Sequence, residues 1–289
     1  MTASVSATEC LVCRFDNPQD AQFCGQCLAP MALTRESLVQ GRQPCLITVI
    51  GDSDVGKTVY LGYLLDMLSR RAGEYEAVPK GPFSVNLQQS VMTHLAARMF
   101  PPKTPNEVDQ WHWAYCQIAH RRDPDHWYDL VMPDMAGEAI AAELDAPHSY
   151  AVIRGLLEKS AGAMLLVDAS LAAMGNVRAD FFAFKLLSYI DQLAELRINQ
   201  KVAMPIAVVL CKSDCCPQAF DQPVAFARTN LNRLWNLGQT RFENVAYFAA
   251  SVIGAVGYGT DEDDNVVTVP LHSAPRGILE PFEWLLTAI

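Results

Sequence analysis

Four stretches of the chain, residues 46–50, 163–167, 206–210 and 245–249, are apolar at successive positions but for Thr48. A strand covered by helices on both faces has no polar side, so these stretches predict a buried, mainly parallel sheet. Between them Leu61, Leu64, Leu65 and Leu68 recur at spacings of three and four, as do Ile278, Phe282, Leu285, Leu286 and Ile289. Such stripes belong to one-sided helices that cover a sheet. From Cys45 onward this alternation of apolar runs and helical stripes is the pattern of βα units. Residues 111–118 and 127–132 are rich in aromatics and flank Arg121-Arg122-Asp123-Pro124-Asp125, which reads as a turn between antiparallel strands. The expected fold class is therefore α/β: a mostly parallel sheet with one antiparallel hairpin strand and helices on both faces. Two segments, about 72–110 and 254–270, are punctuated by Pro and Gly and are expected to be loops or insertions.

The first forty residues differ from the rest. They are rich in cysteine, lack a periodic apolar pattern and are interrupted by Asn17-Pro18 and Ala29-Pro30. They are expected to form a small module and linker over residues 1–40, ahead of a larger domain over residues 41–289. With 289 residues, 51% of them hydrophobic and 19% charged, the chain has enough apolar material for both. The net charge of −10 is spread without a basic run, which disfavours nucleic acid and bare membrane as partners. No apolar stretch reaches the length of a membrane span, and residues 1–9 have neither a basic start nor an apolar signal core. A cytoplasmic setting is expected, and nine cysteines, an odd number that includes the pair Cys215-Cys216, favour reduced thiols and metal ligands over a disulfide framework.

Gly51-Asp52-Ser53-Asp54-Val55-Gly56-Lys57-Thr58 has the form GxxxxGKT and lies between an apolar strand and an amphipathic helix. Small residues there let consecutive backbone N–H groups turn toward phosphates, with the positive end of the helix dipole behind them. Lys57 would reach the β- and γ-phosphates, and the Thr58 hydroxyl would hold Mg²⁺. A strand-to-helix turn that binds nothing can share the glycines, but it does not require the Lys and Thr.

Three further segments choose the base. Cys211-Lys212-Ser213-Asp214 resembles the NKxD motif of Ras-like GTPases, Asp134-Met135-Ala136-Gly137-Glu138 resembles their DxxG switch, and Ala249-Ala250-Ser251 resembles their SA-type loop. Motif order and intervening strands also match that family over residues 45–289. The resemblance implies that Asp214 accepts two hydrogen bonds from guanine, that the stem of Lys212 packs along the base, and that the backbone at Ser251 meets the guanine oxygen. It implies that Asp134 reaches Mg²⁺ and that the Gly137 N–H meets the γ-phosphate. A first-switch Thr should lie just before Trp111, and Thr104 is the candidate, with Thr93 as the alternative. Cys211 stands where the family carries Asn, which implies weaker binding. Glu138 stands where it carries the Gln that orients the attacking water, which implies slow GTP hydrolysis. Ser53 occupies a position that is often Gly, so hydrolysis stimulated by a partner would use another geometry.

Cys10-Leu11-Val12-Cys13 and Cys24-Gly25-Gln26-Cys27 form two CxxC knuckles at a spacing suited to tetrahedral Zn²⁺. Four Cys ligands leave no open coordination position, so the role is structural, and Gly25 is expected to permit the turn geometry. A redox dithiol or a disulfide pair is the competing reading. The combination resembles bacterial zinc-ribbon proteins related to the double-GTPase families, which are associated with multi-gene conflict or signalling systems. That resemblance implies a switch binding GTP or GDP, a ribbon that docks a protein effector or regulator, and a partner from the same gene cluster; nucleotide-dependent dimers across the switch face are common among P-loop proteins. The class-level alternative is a scaffold that holds nucleotide without turning it over. The six histidines, and Trp111, Trp113 and Trp127, are expected to serve packing or surface roles.

Overall fold

A computed structural model describes residues 7–41, 43–197, 199–260 and 266–289. Residues 1–6 of the expected N-terminal module and 261–265 of the expected segment 254–270 lie outside the described residues. Two short antiparallel strands, β1 (Ala7–Glu9) and β2 (Asp16–Pro18), precede helix α1 (Met31–Gln40), which ends on Gly41 in the left-handed conformation (φ 64°). Then come β3 (Cys45–Gly51), α2 (Lys57–Ser69), β4 (Tyr75–Pro79), α3 (Gly81–Ala96), β5 (His112–His120) and β6 (Trp127–Asp134). Next are α4 (Gly137–Asp145), α5 (Ala151–Lys159), β7 (Gly162–Asp168), α6 (Ala169–Ala173), α7 (Val177–Leu193) and β8 (Ile206–Cys211). The chain continues through α8 (Pro217–Asp221), α9 (Pro223–Asn230), α10 (Asn232–Arg241), β9 (Val245–Ala249), β10 (Ser251–Thr260) and β11 (Val266–Arg276) to α11 (Leu279–Ala288).

Seven strands form one sheet in the order β4-β5-β6-β3-β7-β8-β9. The pairs β6–β3, β3–β7, β7–β8 and β8–β9 are parallel, and the hairpin β5–β6 is antiparallel, with His112 opposite Asp134 and Ala119 opposite Trp127. Every residue of β7 and β8 is buried, as continuous apolar runs in a doubly covered sheet require. One sheet face packs on α2, α3 and α11, whose inward residues include Leu61, Leu64, Leu87, Val91, Phe282 and Leu285. The other packs on α4, α5, α7, α9 and α10. Cys10, Val12, Cys24, Cys27, Met31 and Leu33 belong to that second apolar cluster, so the cysteine-rich region shares its core with the sheet.

Three expectations need correction. The segment 72–110 is not a loop throughout, although residues 97–107 lack regular structure. It holds β4, which pairs antiparallel with β5 at the sheet edge, and the sixteen-residue helix α3. Pro82 stands in the first turn of α3, where a missing N–H costs nothing, so it marks a helix start instead of a break. Leu87, Val91 and Leu95 form its buried stripe, and a Cβ on Gly62 of α2 would fall 2.6 Å from Val91, so the glycine permits the close approach of the two helices. The segment 254–270 is likewise largely strand, because Gly254, Gly257 and Gly259 of β10 leave room for His272, Leu271 and Val269 across the hairpin. Ile289 is 52% exposed and lies past the end of α11, off its buried stripe.

Candidate functional site

The loop after β3 turns through two left-handed residues, Asp54 (φ 62°) and Gly56 (φ 97°), before α2 begins at Lys57. Gly51 allows β3 to lie against β7, since a Cβ there would be 2.7 Å from the Leu166 carbonyl oxygen. Ser53 N donates to Asp52 Oδ1 (2.7 Å), and Arg178 holds the same carboxylate through Nε (2.8 Å) and Nη2 (3.0 Å). Val55 is buried under the loop. Lys57 folds back across the loop, donating from Nζ to the carbonyls of Gly51 (3.0 Å) and Asp52 (2.9 Å). Burial lowers its pKa, against the pull of Asp134, Asp52 and Asp54.

Three predicted residues converge beside the loop from separate elements. Thr58 Oγ1 lies 3.1 Å from Thr104 Oγ1, and Thr104 Oγ1 donates to Asp134 Oδ2 at 3.0 Å. Burial raises the Asp134 carboxyl above its ordinary range, opposed by the Thr58 and Thr104 hydroxyls and by Lys57. Asp134 Oδ1 is buried with no hydrogen-bond partner among the described residues. An orphaned carboxylate oxygen flanked by two hydroxyls is a donor set suited to a hard divalent cation. Thr93 is an exposed residue of α3 and does not join the site, so of the two first-switch candidates only Thr104 lies beside the loop.

At the start of α4, Gly137 sits so close to the loop that a Cβ would fall 2.5 Å from Ser53 N and 2.7 Å from the Asp52 carbonyl carbon. Glu138 follows in the first turn, with Oε1 3.5 Å from Ser53 Oγ and Oε2 accepting from Asn106 Nδ2 at 3.3 Å. On the other side of the loop, Lys103 pairs with Asp54 at 2.9 Å.

The predicted base-recognition residues lie together. Lys212 is left-handed (φ 56°) and its Nζ meets Asp168 Oδ2 at 2.7 Å. Burial works against that carboxylate, yet the Lys212 ammonium and the Ser170 hydroxyl hold its pKa below the usual range. Ser251 Oγ donates to Asp214 Oδ1 at 2.6 Å, and Ser213 N donates to the Ala250 carbonyl at 3.2 Å, which knits the two loops together. Cys211 is buried at the end of β8, and burial pushes its thiol up to about 12. A cavity of about 650 Å³ joins residues 53–60, 100–104, Gly137, Glu138, Lys212 and Asp214. Residues of β10 and β11 line it as well.

Asp168, Arg178, Lys103 and Asn106 were not read from the sequence. Asp168 ends an apolar strand on the sheet edge that carries the loops, which is a usable signal. Arg178 meets Asp52 across 126 positions, and no local pattern announces that. Trp111 and Trp113 are buried, as expected of packing residues.

The Sγ atoms of Cys10, Cys13, Cys24 and Cys27 all lie within 4.8 Å of one another. The separations Cys10–Cys27 (3.7 Å) and Cys13–Cys24 (3.5 Å) are far longer than the ~2.05 Å of a disulfide. They approach the ~3.8 Å edge that four ~2.3 Å Zn–S bonds would give. Each knuckle is closed the same way: Arg14 N donates to the Cys10 carbonyl and Leu28 N to that of Cys24, both at 3.0 Å. The left-handed residues are Arg14 (φ 64°) and Leu28 (φ 60°), so Gly25 is not the residue that supplies the turn. A Cβ on Gly25 would instead meet the Phe15 ring at 3.4 Å.

A parallel sheet with a glycine-rich loop ahead of α2, a lysine and threonine opening that helix, and a cavity at the loop mouth defines the P-loop class of α/β proteins. The family model of Double-GTPase 1 matches residues 48–212, more than half of the chain, and the chain belongs to that family. No curated protein matches it. Among solved structures, it is similar to the GTPase-like domain of Saccharomyces cerevisiae Ski7 bound to GTP, at 14% identity and a TM-score of 0.48, covering 88% of this chain and 52% of that one. It is also similar to a signal recognition particle receptor SRb-GTP/SRX complex from Chaetomium thermophilum (13% identity, TM-score 0.41, 73% and 92% covered). A third is a GTP-binding protein of Sulfolobus solfataricus in complex with GDP (13%, 0.36, 76% and 51%). The chain spans about half the length of the first and third of these. None of its helices, among the described residues, is long and apolar enough to cross a membrane.

Proposed function

We propose that the protein is a GTP-binding switch with slow Mg²⁺-dependent hydrolysis, in which residues 41–289 bind the nucleotide and residues 1–40 hold one Zn²⁺ and dock a protein partner. The observation that carries this reading is the convergence of Thr58, Thr104 and Asp134 beside the P-loop. Backbone N–H groups of residues 53–58 would take the phosphates, and Lys57 would exchange its two carbonyl partners for β- and γ-phosphate oxygens. Mg²⁺, held by Thr58, Thr104 and Asp134, would offset phosphate charge. Gly137 already lies against Ser53, so a γ-phosphate bonded to the Gly137 N–H would tie α4 to the loop, and its loss would free both switches. Asp214, Lys212 and Ser251 would select guanine, which offers an N–H and an amine to one carboxylate where adenine does not.

Hydrolysis requires water in line with the γ-phosphorus while the bond to the β–γ bridging oxygen breaks. Glu138 follows Gly137, the residue expected to meet the γ-phosphate, and its carboxylate would repel the charge of that phosphate. Its two hydrogen bonds, from Ser53 and Asn106, also favour the second reading, a nucleotide-holding scaffold or adaptor. Single-turnover phosphate release distinguishes them. We expect a rate at or below roughly 10⁻³ per second, rising about tenfold in Glu138→Gln. Fast release by the unmodified protein contradicts slow hydrolysis, and no release by either protein selects the scaffold. The expected partners are a protein effector or regulator encoded in the same bacterial gene cluster, with nucleotide-dependent dimers across the switch face and a cytoplasmic location.

A further inference from the structure

Beyond Ser251 the hairpin of β10 and β11 corresponds to none of the motifs read from the sequence, yet it lines the cavity. It grows directly out of the base loop, because β10 begins at Ser251, whose hydroxyl bonds Asp214. Its root is fixed where Ser251 pairs with Arg276 and where left-handed Gly277 (φ 66°) packs against the Ala249 carbonyl without room for a Cβ. Ile253 and Val256 of β10 and Thr268 of β11 line the same cavity as Lys212 and Asp214.

Residues three apart in a regular strand point to opposite faces. Here register shifts between Ile253 and Ala255 and between Ala255 and Val256 re-aim the strand, so that both aliphatic side chains meet the cavity. Val256 is 46% exposed, an apolar side chain at the cavity. A purine nucleoside has a polar edge, two apolar ring faces and a ribose. Asp214 and Ser251 suit the edge and the stem of Lys212 one face, and the hairpin adds an aliphatic surface at the same end. The phosphate end of the cavity is lined by Lys57 and Thr58 instead.

We infer that the β10–β11 hairpin is part of the nucleotide site, with Ile253, Val256 and Thr268 forming a wall against the purine nucleoside that slows its release. This rests on the cavity being a guanine-nucleotide site. The test uses the full chain, tritium-labelled GDP for dissociation rates, and inorganic tripolyphosphate as a competitor that occupies the phosphate end alone. Val256→Ser and Ile253→Ser should each speed GDP release about tenfold, since each removes apolar contact made only in the bound state. Tripolyphosphate affinity should stay within about twofold of the unmodified protein, while Lys57→Ala loses both ligands. Unchanged GDP release in both serine variants overturns the wall and leaves the nucleotide site standing. Equal weakening of GDP and tripolyphosphate also overturns it, because the substitution then acts through the P-loop. An unmodified protein that binds neither ligand overturns the wall and the nucleotide site together.

Discussion

In the four-Cys module the donor atoms face one another. Four sulfurs lie within 4.8 Å, three of the four cysteines are buried, and each knuckle closes on its own backbone. Around the P-loop the donors face an opening. Among the described residues Asp134 Oδ1 has no hydrogen-bond partner and Lys57 donates to backbone carbonyls, and the cavity beside them measures about 650 Å³. One ion of tetrahedral preference would satisfy the first arrangement completely and leave no position for a substrate. Only a ligand with several oxygens and its own charge would satisfy the second. A structural site completes itself, whereas a functional site keeps unsatisfied groups within a rigid frame.

The contrast breaks most visibly if metal is withdrawn. Cys10, Cys24 and Cys27 share an apolar cluster with Trp113, Met135 and Ile140, so the module packs on the same sheet face as α4. Chelation, or Cys24→Ser, should cost at least about 3 kcal/mol and lower the unfolding temperature of the whole chain, because metal binding is folding energy in so small a module. Calorimetry with elemental analysis checks this. One zinc per chain is expected, and an unchanged melting temperature after complete chelation would separate the module from the core.

A smaller effect is expected at the P-loop. Gly137→Ala places a methyl 2.5 Å from Ser53 N, against backbone that cannot swing aside. It should cost about 1–3 kcal/mol of stability and weaken GTP more than GDP, since Gly137 is the residue expected to meet the γ-phosphate. Equal loss for both nucleotides would mean that the contact is merely structural.

The smallest effect lies in the sheet, away from both sites. Burial pushes the Cys116 thiol up to about 12 from an ordinary value of 9.0. The folded thiol stays protonated while the unfolded one ionises, so its contribution to stability is intact below pH 9 and lost as pH rises from 9 toward 12. Cys116→Ala should flatten that part of the stability profile, measured by urea unfolding at pH 8 to 10.5, where thiol ionisation in the unfolded chain begins to count. A slope unchanged by the substitution would assign the alkaline loss to other groups.

What the sequence made legible was contiguous. Residues 51–58 carry their chemistry in one loop, and the cysteine knuckles carry theirs in two four-residue turns. Thr104 was placed by its position just before Trp111, and it lies beside Thr58 and Asp134. The Arg178–Asp52 pair and the Lys212–Asp168 pair were not legible, because their partners are brought together only by the sheet. Helix α3 and the β10–β11 hairpin were hidden for another reason. Their Pro and Gly residues were read as breaks, whereas Pro82 opens a helix and Gly254 and Gly257 make room for neighbouring side chains. A glycine adapted to packing and one adapted to a turn look alike until the packing partner is known.

The most direct test of the central claim is a titration of nucleotide-stripped protein with GTP and ATP in Mg²⁺, beside Lys57→Ala and Asp214→Ala. GTP binding should be preferred over ATP by about 100-fold or more and reduced at least about 100-fold by Lys57→Ala, with the preference erased by Asp214→Ala. Equal affinity for ATP and GTP in the unmodified protein, or a preference that survives Asp214→Ala, would contradict that claim.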